Sequence, residues 1–445
     1  MSPDPNAEYF SDGITEEIIN ALMKIDALRV AARTSSFAFM GKAEDVRGIG
    51  ERLGVRTVLE GSVRQAGGKL RVTAQLINVA DGYQLWSERY DRSLEDVFAV
   101  QDEISRAIAS TLEVRLLGPE AAFTPRATPD HEAYELFLKG RWFFNQRSAS
   151  KAVMEFDAAI AKDSSFAPAY TGLADSYGIH AFYGGIDTRV AYAKARAAAE
   201  KARAIAPDSS EVHLSLGILE HYFGWDFERE KRELRLAIAR NPRWGAPYYW
   251  LGLIHDLRGQ IEEGIPLARR AAELEPLSPV AVAAPGWGFY LAGRTDEALR
   301  EFRKGLEIDP NGVYPLFCVG MASQCMGAHA DALASFEKLV TVTGGGQSHS
   351  LGLLGGAYAA AGRNDEAGRI LEGLRERSAR EYVAPLHRAF VEVPLGDHDA
   401  AFESLTRACE ERNALAWWWV AYDPGFAALR GDARFSALRA RVVPG

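Results

Sequence analysis

The feature that most constrains this chain is a period. Prolines end successive segments at Pro242, Pro276 and Pro310, with Gly344 at the next equivalent place, so each step is 34 residues. Small residues keep the same step: Gly252, Gly286 and Gly320 in the first half of each unit, then Gly264, Ala298 and Ala332 in the second. Self-similarity at this spacing calls for stacked supersecondary units rather than one closed globule. The stretch from Gly245 to Pro276 shows the logic of one unit. Tyr248, Leu251, Gly252 and His255 fall on one face of a first helix. Gly259 supplies the break, because glycine tolerates the left-handed conformation that ends helices. Ile265, Ala268, Ala271, Ala272 and Leu274 face inward from a second helix, which Pro276 stops. Gly252, Ala268 and Ala271 are small where the helices approach, and a large side chain there would overpack the seam. The unit is therefore a helical hairpin.

Other stretches repeat it. Val282, Gly286, Phe289, Ala298, Phe302, Gly305 and Pro310 make the next unit, and Leu316, Val319, Gly320, Ala332, Phe336 and Leu339 the one after. Leu351, Leu354, Gly355, Tyr358, Ala367, Leu371 and Leu374 continue the series, with a weaker copy in Ala389, Gly396, Ala401, Leu405 and Ala408. Upstream, Leu216, Gly217, Leu234, Ala237 and Pro242 form a unit with a one-residue insertion. Before it, Tyr170, Leu173, Ala174, Tyr177, Ala195, Ala199, Ala202 and Pro207 form one whose longer loop contains Gly184 and Gly185. The first has Leu136, Gly140, Phe143, Ala152, Phe156 and Ala159. The pattern resembles the tetratricopeptide repeat, with about eight copies over residues 133–413. That resemblance implies an α-solenoid with a concave binding groove.

Ahead of the repeats the periodicity changes. Residues 9–26 read as a helix through Ile14, Ile18, Ala21, Leu22 and Ile25, with Ser11 or Asp12 as its N-cap. Leu28 to Ala32 reads as a short strand, Asp45 to Leu53 as a helix ended by Gly54, and Thr57 to Arg64 as a strand. Ala66 to Lys69 is a hairpin turn. Leu70, Val72, Ala74 and Leu76 alternate along the partner strand, Asp81-Gly82 marks another turn, and Tyr83 to Tyr90 returns. Val97, Val100, Ile104, Ala107, Ile108 and Leu112 mark an amphipathic helix. Residues 1–117 therefore form a small α/β domain, 118–132 a linker with Pro119, Pro125 and Pro129, 133–413 the solenoid, and 414–445 capping helices.

Tyr9 to Glu17 (YFSDGITEE), Val58 to Arg64 (VLEGSVR) and Leu85 to Asp91 (LWSERYD) resemble the signatures of the TolB amino-terminal-like domain. Ala133 to Arg141 and Asp423 to Phe426 extend the likeness along the chain. The resemblance implies a bacterial signalling protein in which this domain precedes tetratricopeptide repeats. The usual upstream neighbours are a class III nucleotide cyclase, a winged-helix DNA-binding domain or a kinase. Members usually open with a Val/Leu/Phe-rich strand ahead of the segment matching Pro3 to Phe10, and none stands here. The sheet is accordingly expected to be incomplete and to promote self-association through its edge.

Composition argues against several functions. With 51 basic and 60 acidic residues the net charge is −9, which does not favour a phosphate backbone, so no nucleic acid is expected. The longest apolar runs, Leu351 to Ala361 and Leu415 to Tyr422, are too short for a membrane span. The start has neither the basic nor the apolar region of a secretory signal. A cytoplasmic location is expected, with a periplasmic one as the alternative if an upstream signal or anchor precedes the domain.

Cys318, Cys325 and Cys409 lack metal-ligand spacing and read as buried thiols in a reducing compartment. His213 and His221 share a helix face without a third ligand, so hydrogen-bonded histidines are expected rather than a metal site. No phosphate-binding Gly-rich loop with its Lys is present, and His131-Glu132 lacks the second His that a zinc helix would need. The chain is thus expected to be non-catalytic, without cofactor or metal. Arg141 and Asn145 lie one turn apart and resemble part of a carboxylate clamp, but Thr171 and Asp175 stand where its partners belong, so a solvated face is the simpler reading.

What remains is the groove. Tetratricopeptide positions that tend to line it map to Tyr249, Leu253, Trp287, Tyr290, Tyr314, Phe317 and Met321, an apolar lining suited to a protein or peptide segment. Either these side chains await a partner or they pack against neighbouring first helices. Trp417-Trp418-Trp419 likewise is either a partner hot spot or part of the cap over the last repeat.

Overall fold

The computed structural model describes residues 5–442, apart from 24, 26, 27, 29, 43, 67, 68, 94–96 and 112–127. The helices in chain order are α1 (Pro5–Met23), α2 (Arg33–Phe37), α3 (Val46–Leu53), α4 (Val97–Thr111), α5 (His131–Asn145), α6 (Ala149–Lys162), α7 (Ala167–Phe182) and α8 (Thr188–Ile205). They continue with α9 (Ser210–Leu219), α10 (Phe227–Arg240), α11 (Gly245–Leu257), α12 (Ile261–Leu274), α13 (Pro279–Ala283), α14 (Gly286–Leu291), α15 (Thr295–Ile308) and α16 (Val313–Cys325). The last are α17 (His329–Val342), α18 (Ser348–Ala360), α19 (Asn364–Ser378), α20 (Pro385–Leu395), α21 (His398–Glu410), α22 (Ala416–Tyr422) and α23 (Ala433–Val442). Strands β1 (Thr57–Ala66), β2 (Lys69–Asn78) and β3 (Gln84–Ser93) lie between α3 and α4. The chain packs as two compact units: Met1–Leu173 with Leu274–Leu277, and Ala174–Glu273 with Ser278–Gly445.

In the first unit the strands form an antiparallel meander in the order β1-β2-β3, with Val63 opposite Val72 and Val72 opposite Tyr90. Alternation along β2 sends Leu70, Val72, Ala74 and Leu76 to the core, where Phe10, Ile14, Val100 and Ile104 are also buried. Arg71 and Asp91, and Ser62 and Thr73, pair on the opposite, wetter face. Gly54, at φ +64, ends α3 as expected. The turn at Gly67-Gly68 and the linker prolines Pro119 and Pro125 lie outside the described residues.

Three expectations are corrected here. Leu28 to Ala32 forms no strand among the described residues, since a strand exists only with a ladder partner and none pairs with it. Among the described residues the first helix already runs from Pro5, so Ser11 and Asp12 lie inside it and are not its N-cap; the Ser11 carbonyl accepts a bond from Thr15 Oγ1 within the helix, and buried Phe10 extends the Ile14, Ile18 stripe backwards. Arg141 on α5 is neither a clamp nor a solvated side chain: it ion-pairs with Glu16 of α1, which Arg33 also meets at 3.0 Å.

The second unit is a stack of helical hairpins. Its first helices end at residues with positive φ: Trp225 (58°), Gly259 (78°), Gly293 (74°), Gly327 (70°), Gly362 (75°) and Gly396 (80°). Repeat registration is kept in backbone conformation even where glycine is replaced by tryptophan. That replacement follows the one-residue insertion, which the backbone absorbs as a π turn over Glu220–Gly224 at the end of α9. Gly286 and Gly320 lie beneath Phe302 and Phe336, both fully buried. The fifth repeat's first helix is split into α13 and α14 around Pro285, which has no N–H to continue the ladder.

Candidate functional site

The residues expected to line the groove do converge, and they meet a segment of the chain itself. On α11, α14 and α16, Tyr249, Leu253, Trp287, Tyr290 and Met321 are buried, while Tyr314 and Phe317 are half-buried. Their polar atoms satisfy one another. The Tyr249 hydroxyl donates to that of Tyr314 (3.1 Å), which also accepts the Trp287 indole N–H (2.7 Å). Burial pushes the Tyr249 and Tyr314 phenols, and the neighbouring Cys318 thiol, well above their ordinary pKa values.

The other side of this lining is α22. Its sequence, AWWWVAY, is apolar around its whole circumference, and such a helix is stable only when enclosed. Three consecutive tryptophans point in directions about 100° apart, so each meets a different wall. Trp417 packs on Phe227 (ring centroids 4.6 Å apart) and donates its N–H to the His221 carbonyl (3.1 Å). Trp418 meets Trp287 edge-on at 5.3 Å. Trp419 packs at a tilt against Phe390, ring centroids 4.4 Å apart, and reaches Phe317 at 6.5 Å. All three are essentially inaccessible. Of the terminal segments expected to supply one or more helices over the last repeat, α23 packs on α21, and α22 meets α21 while also reaching into the groove. Asp423, just after α22, accepts the Gly425 N–H at 2.7 Å, and burial raises its carboxyl to about 7.

His349 and His387 extend the same interior. Their rings lie 5.2 Å apart, His349 is flanked by Phe182, Phe317 and Phe390, and Ser348 Oγ sits 3.0 Å from His387 Nδ1. Burial lowers His349 to about 3 and His387 well below its usual value. His213 and His221 instead pair with Glu233 (2.7 Å) and Glu230 (2.8 Å), as hydrogen-bonded histidines should. Among the described residues no cluster of three or more His, Cys, Asp or Glu side chains could hold a metal. The cysteines are free; Cys318 and Cys409 are buried, but Cys325 is exposed, contrary to expectation.

Sequence reading missed Phe227, His349 and Phe390. They come from the third, seventh and eighth repeats, and only the return of α22 brings them to one place. The one available signal was the all-round apolarity of α22.

No family model matches the chain. It is similar to "Putative adenylate cyclase 3" of Rhizobium meliloti (strain 1021), 46% identical over 177 residues that cover 39% of this chain and 30% of that protein. Cytochrome c-type biogenesis protein CycH of the same organism is 30% identical over 107 residues, 23% of this chain and 28% of that one. The chain spans less than a third of the length of these curated relatives. Among solved structures, a tetratricopeptide repeat protein from Parabacteroides merdae ATCC 43184 aligns with TM-score 0.39 at 15% identity, over 60% of this chain and 100% of that one. Hairpins that end their first helices at positive φ every 34 residues over Trp225, Gly259, Gly293 and Gly327 decide the architecture. The solenoid is built of tetratricopeptide repeats. Among the described residues, no helix is long and apolar enough to cross a membrane.

Proposed function

We propose that this chain is a non-catalytic scaffold of a bacterial signalling or regulatory system that binds a protein segment in the concave groove of its repeats. The groove residues are Tyr249, Leu253, Trp287, Tyr290, Tyr314, Phe317 and Met321. One observation carries the reading: this lining accommodates a helix of protein, α22, on aromatic contacts to Trp287 and Phe317. Aromatic side chains of this kind dominate interface energetics. The amino-terminal residues act as a TolB-like domain, and the location is cytoplasmic.

A photo-crosslinking amino acid in place of half-buried Phe317, in cells expressing the chain, tests the reading. Adducts to a segment of another protein support it. Adducts confined to residues 416–422 of the same chain refute it.

A second reading is favoured by the likeness to "Putative adenylate cyclase 3". In it the chain is the effector-sensing region of a larger cyclase, kinase or winged-helix regulator. A cyclase domain in the same reading frame, with output that changes on mutation of the groove, would favour this second reading.

A further inference from the structure

The seat of α22 is imperfect. Trp418 is 2% exposed, yet among the described residues its indole N–H has no acceptor, whereas that of Trp417 reaches the His221 carbonyl. A buried donor left unmade is a penalty that the same ring shape without the N–H would avoid. The turn that delivers the helix is also under tension. Arg412 stands at φ +51 and Leu415 at φ +61, left-handed conformations that disfavour a residue with a Cβ.

These conformations persist because the turn is held from several sides. The Arg412 guanidinium donates to the carbonyls of Phe223 (3.2 Å) and Gly224 (2.7 Å). The Asn413 amide donates to Thr188 (3.3 Å) and Tyr382 (2.9 Å), and its oxygen accepts the Leu386 N–H (3.3 Å). Backbone outliers that the surroundings over-determine gather at clamps and switches.

We infer that α22 is an internal stand-in for a partner's helix, and that it leaves the groove to admit one. The occupant is a short helix, apolar on every side, with aromatic rings matching Trp417 and Trp419 and a ring without a polar N–H matching Trp418. This inference rests on the groove reading above. The apolar lining around Trp287, Phe317 and Phe390 selects such a segment over an acidic or basic peptide. Competition from α22 is intramolecular. A short tether gives it an effective concentration in the ~mM range, so a partner succeeds by fitting the Trp418 position better than α22 does.

The test uses the full chain and two labelled synthetic peptides spanning residues 414–424 with added lysines, one native and one with 3-benzothienylalanine, which keeps the bicyclic ring shape without the N–H, at the position of Trp418. The benzothienylalanine peptide should bind about fivefold or more tightly than the native one. The Trp418→Ala chain, its own helix weakened, should bind both about tenfold or more tightly than wild type. Failure of a folded Trp418→Ala chain to bind either peptide overturns the inference.

Should that variant not fold, hydrogen exchange on the wild-type chain decides. The amides of α22 should exchange through an opening that leaves α11 and α16 protected. Exchange of α22 only with global unfolding makes it permanent core and overturns the inference. Peptide failure together with Phe317 crosslinks to another protein removes this inference and leaves the groove reading standing. Failure of both experiments removes both.

Discussion

Asp256 should make the solenoid less stable as the solution becomes more alkaline. The residue is 1% exposed on α11, and among the described residues neither carboxylate oxygen has a hydrogen-bond partner. It lies against Gly264 and Gly288, where a Cβ would run into it. Burial raises the carboxyl from 3.8 to about 8, so the native state keeps its proton at neutral pH while the unfolded chain does not. Between those values the native state binds one more proton, so stability falls by about 1.36 kcal/mol per pH unit. From pH 4 to pH 7 the loss is on the order of 4 kcal/mol.

Asp256→Asn keeps the shape and removes the titration. Hydrogen exchange of α11 and α14 in both proteins, at several pH values after correction for intrinsic rates, isolates the one group. The difference in opening free energy between mutant and wild type should shift toward the mutant by about 4 kcal/mol across that range. A difference that stays flat with pH would mean that the carboxylate is solvated or paired, and would refute the reasoning.

Three further outcomes are expected. Gly252→Leu should cost about 1–3 kcal/mol, because even a Cβ would meet the Gly264 carbonyl oxygen at 2.9 Å and the Ala268 nitrogen at 3.0 Å. Lost exchange protection should concentrate around α9 to α15, and uniform loss along the chain would contradict nearest-neighbour packing. His349 works in the opposite pH direction from Asp256. Lowered from 6.5 to about 3, it supports the fold fully above pH 6.5 and withdraws that support as pH falls toward 3; a His349→Phe chain should show a flatter acid limb in melting temperature against pH, and an unchanged limb would place the imidazole in water. Trp287→Ala with Tyr290→Ala should lower the melting temperature by several degrees, since a buried Trp→Ala change alone costs about 3–5 kcal/mol. An unchanged melting temperature would detach the groove from the core.

The hairpins were legible because everything that defines them is local. Gly259 ends a helix whose own residues point to it, and Gly286 and Phe302 meet sixteen residues apart in one unit. Where a local rule was broken, the register still survived. Trp225 takes the left-handed place of a glycine because the π turn before it displaces the chain by the inserted residue. The strand expected at Leu28 to Ala32 failed for the complementary reason. Its alternation is local, but a strand also needs a neighbour, and no pattern within five residues supplies one.

The occupant of the groove lies beyond any local pattern. Trp417 touches Phe227 across 190 positions of sequence, and Trp419 touches Phe390 from another repeat. The composition of α22 requires enclosure without saying by what. Its enclosure by repeats distant in sequence has a physical consequence that a cap over one repeat would lack. In a solenoid stabilised mainly between neighbours, a helix touching Phe227, Trp287, Phe317 and Phe390 at once couples the third repeat to the eighth directly. Removing α22 therefore loosens the array at several separated places together, which makes the state of this one short helix a property of the whole second unit.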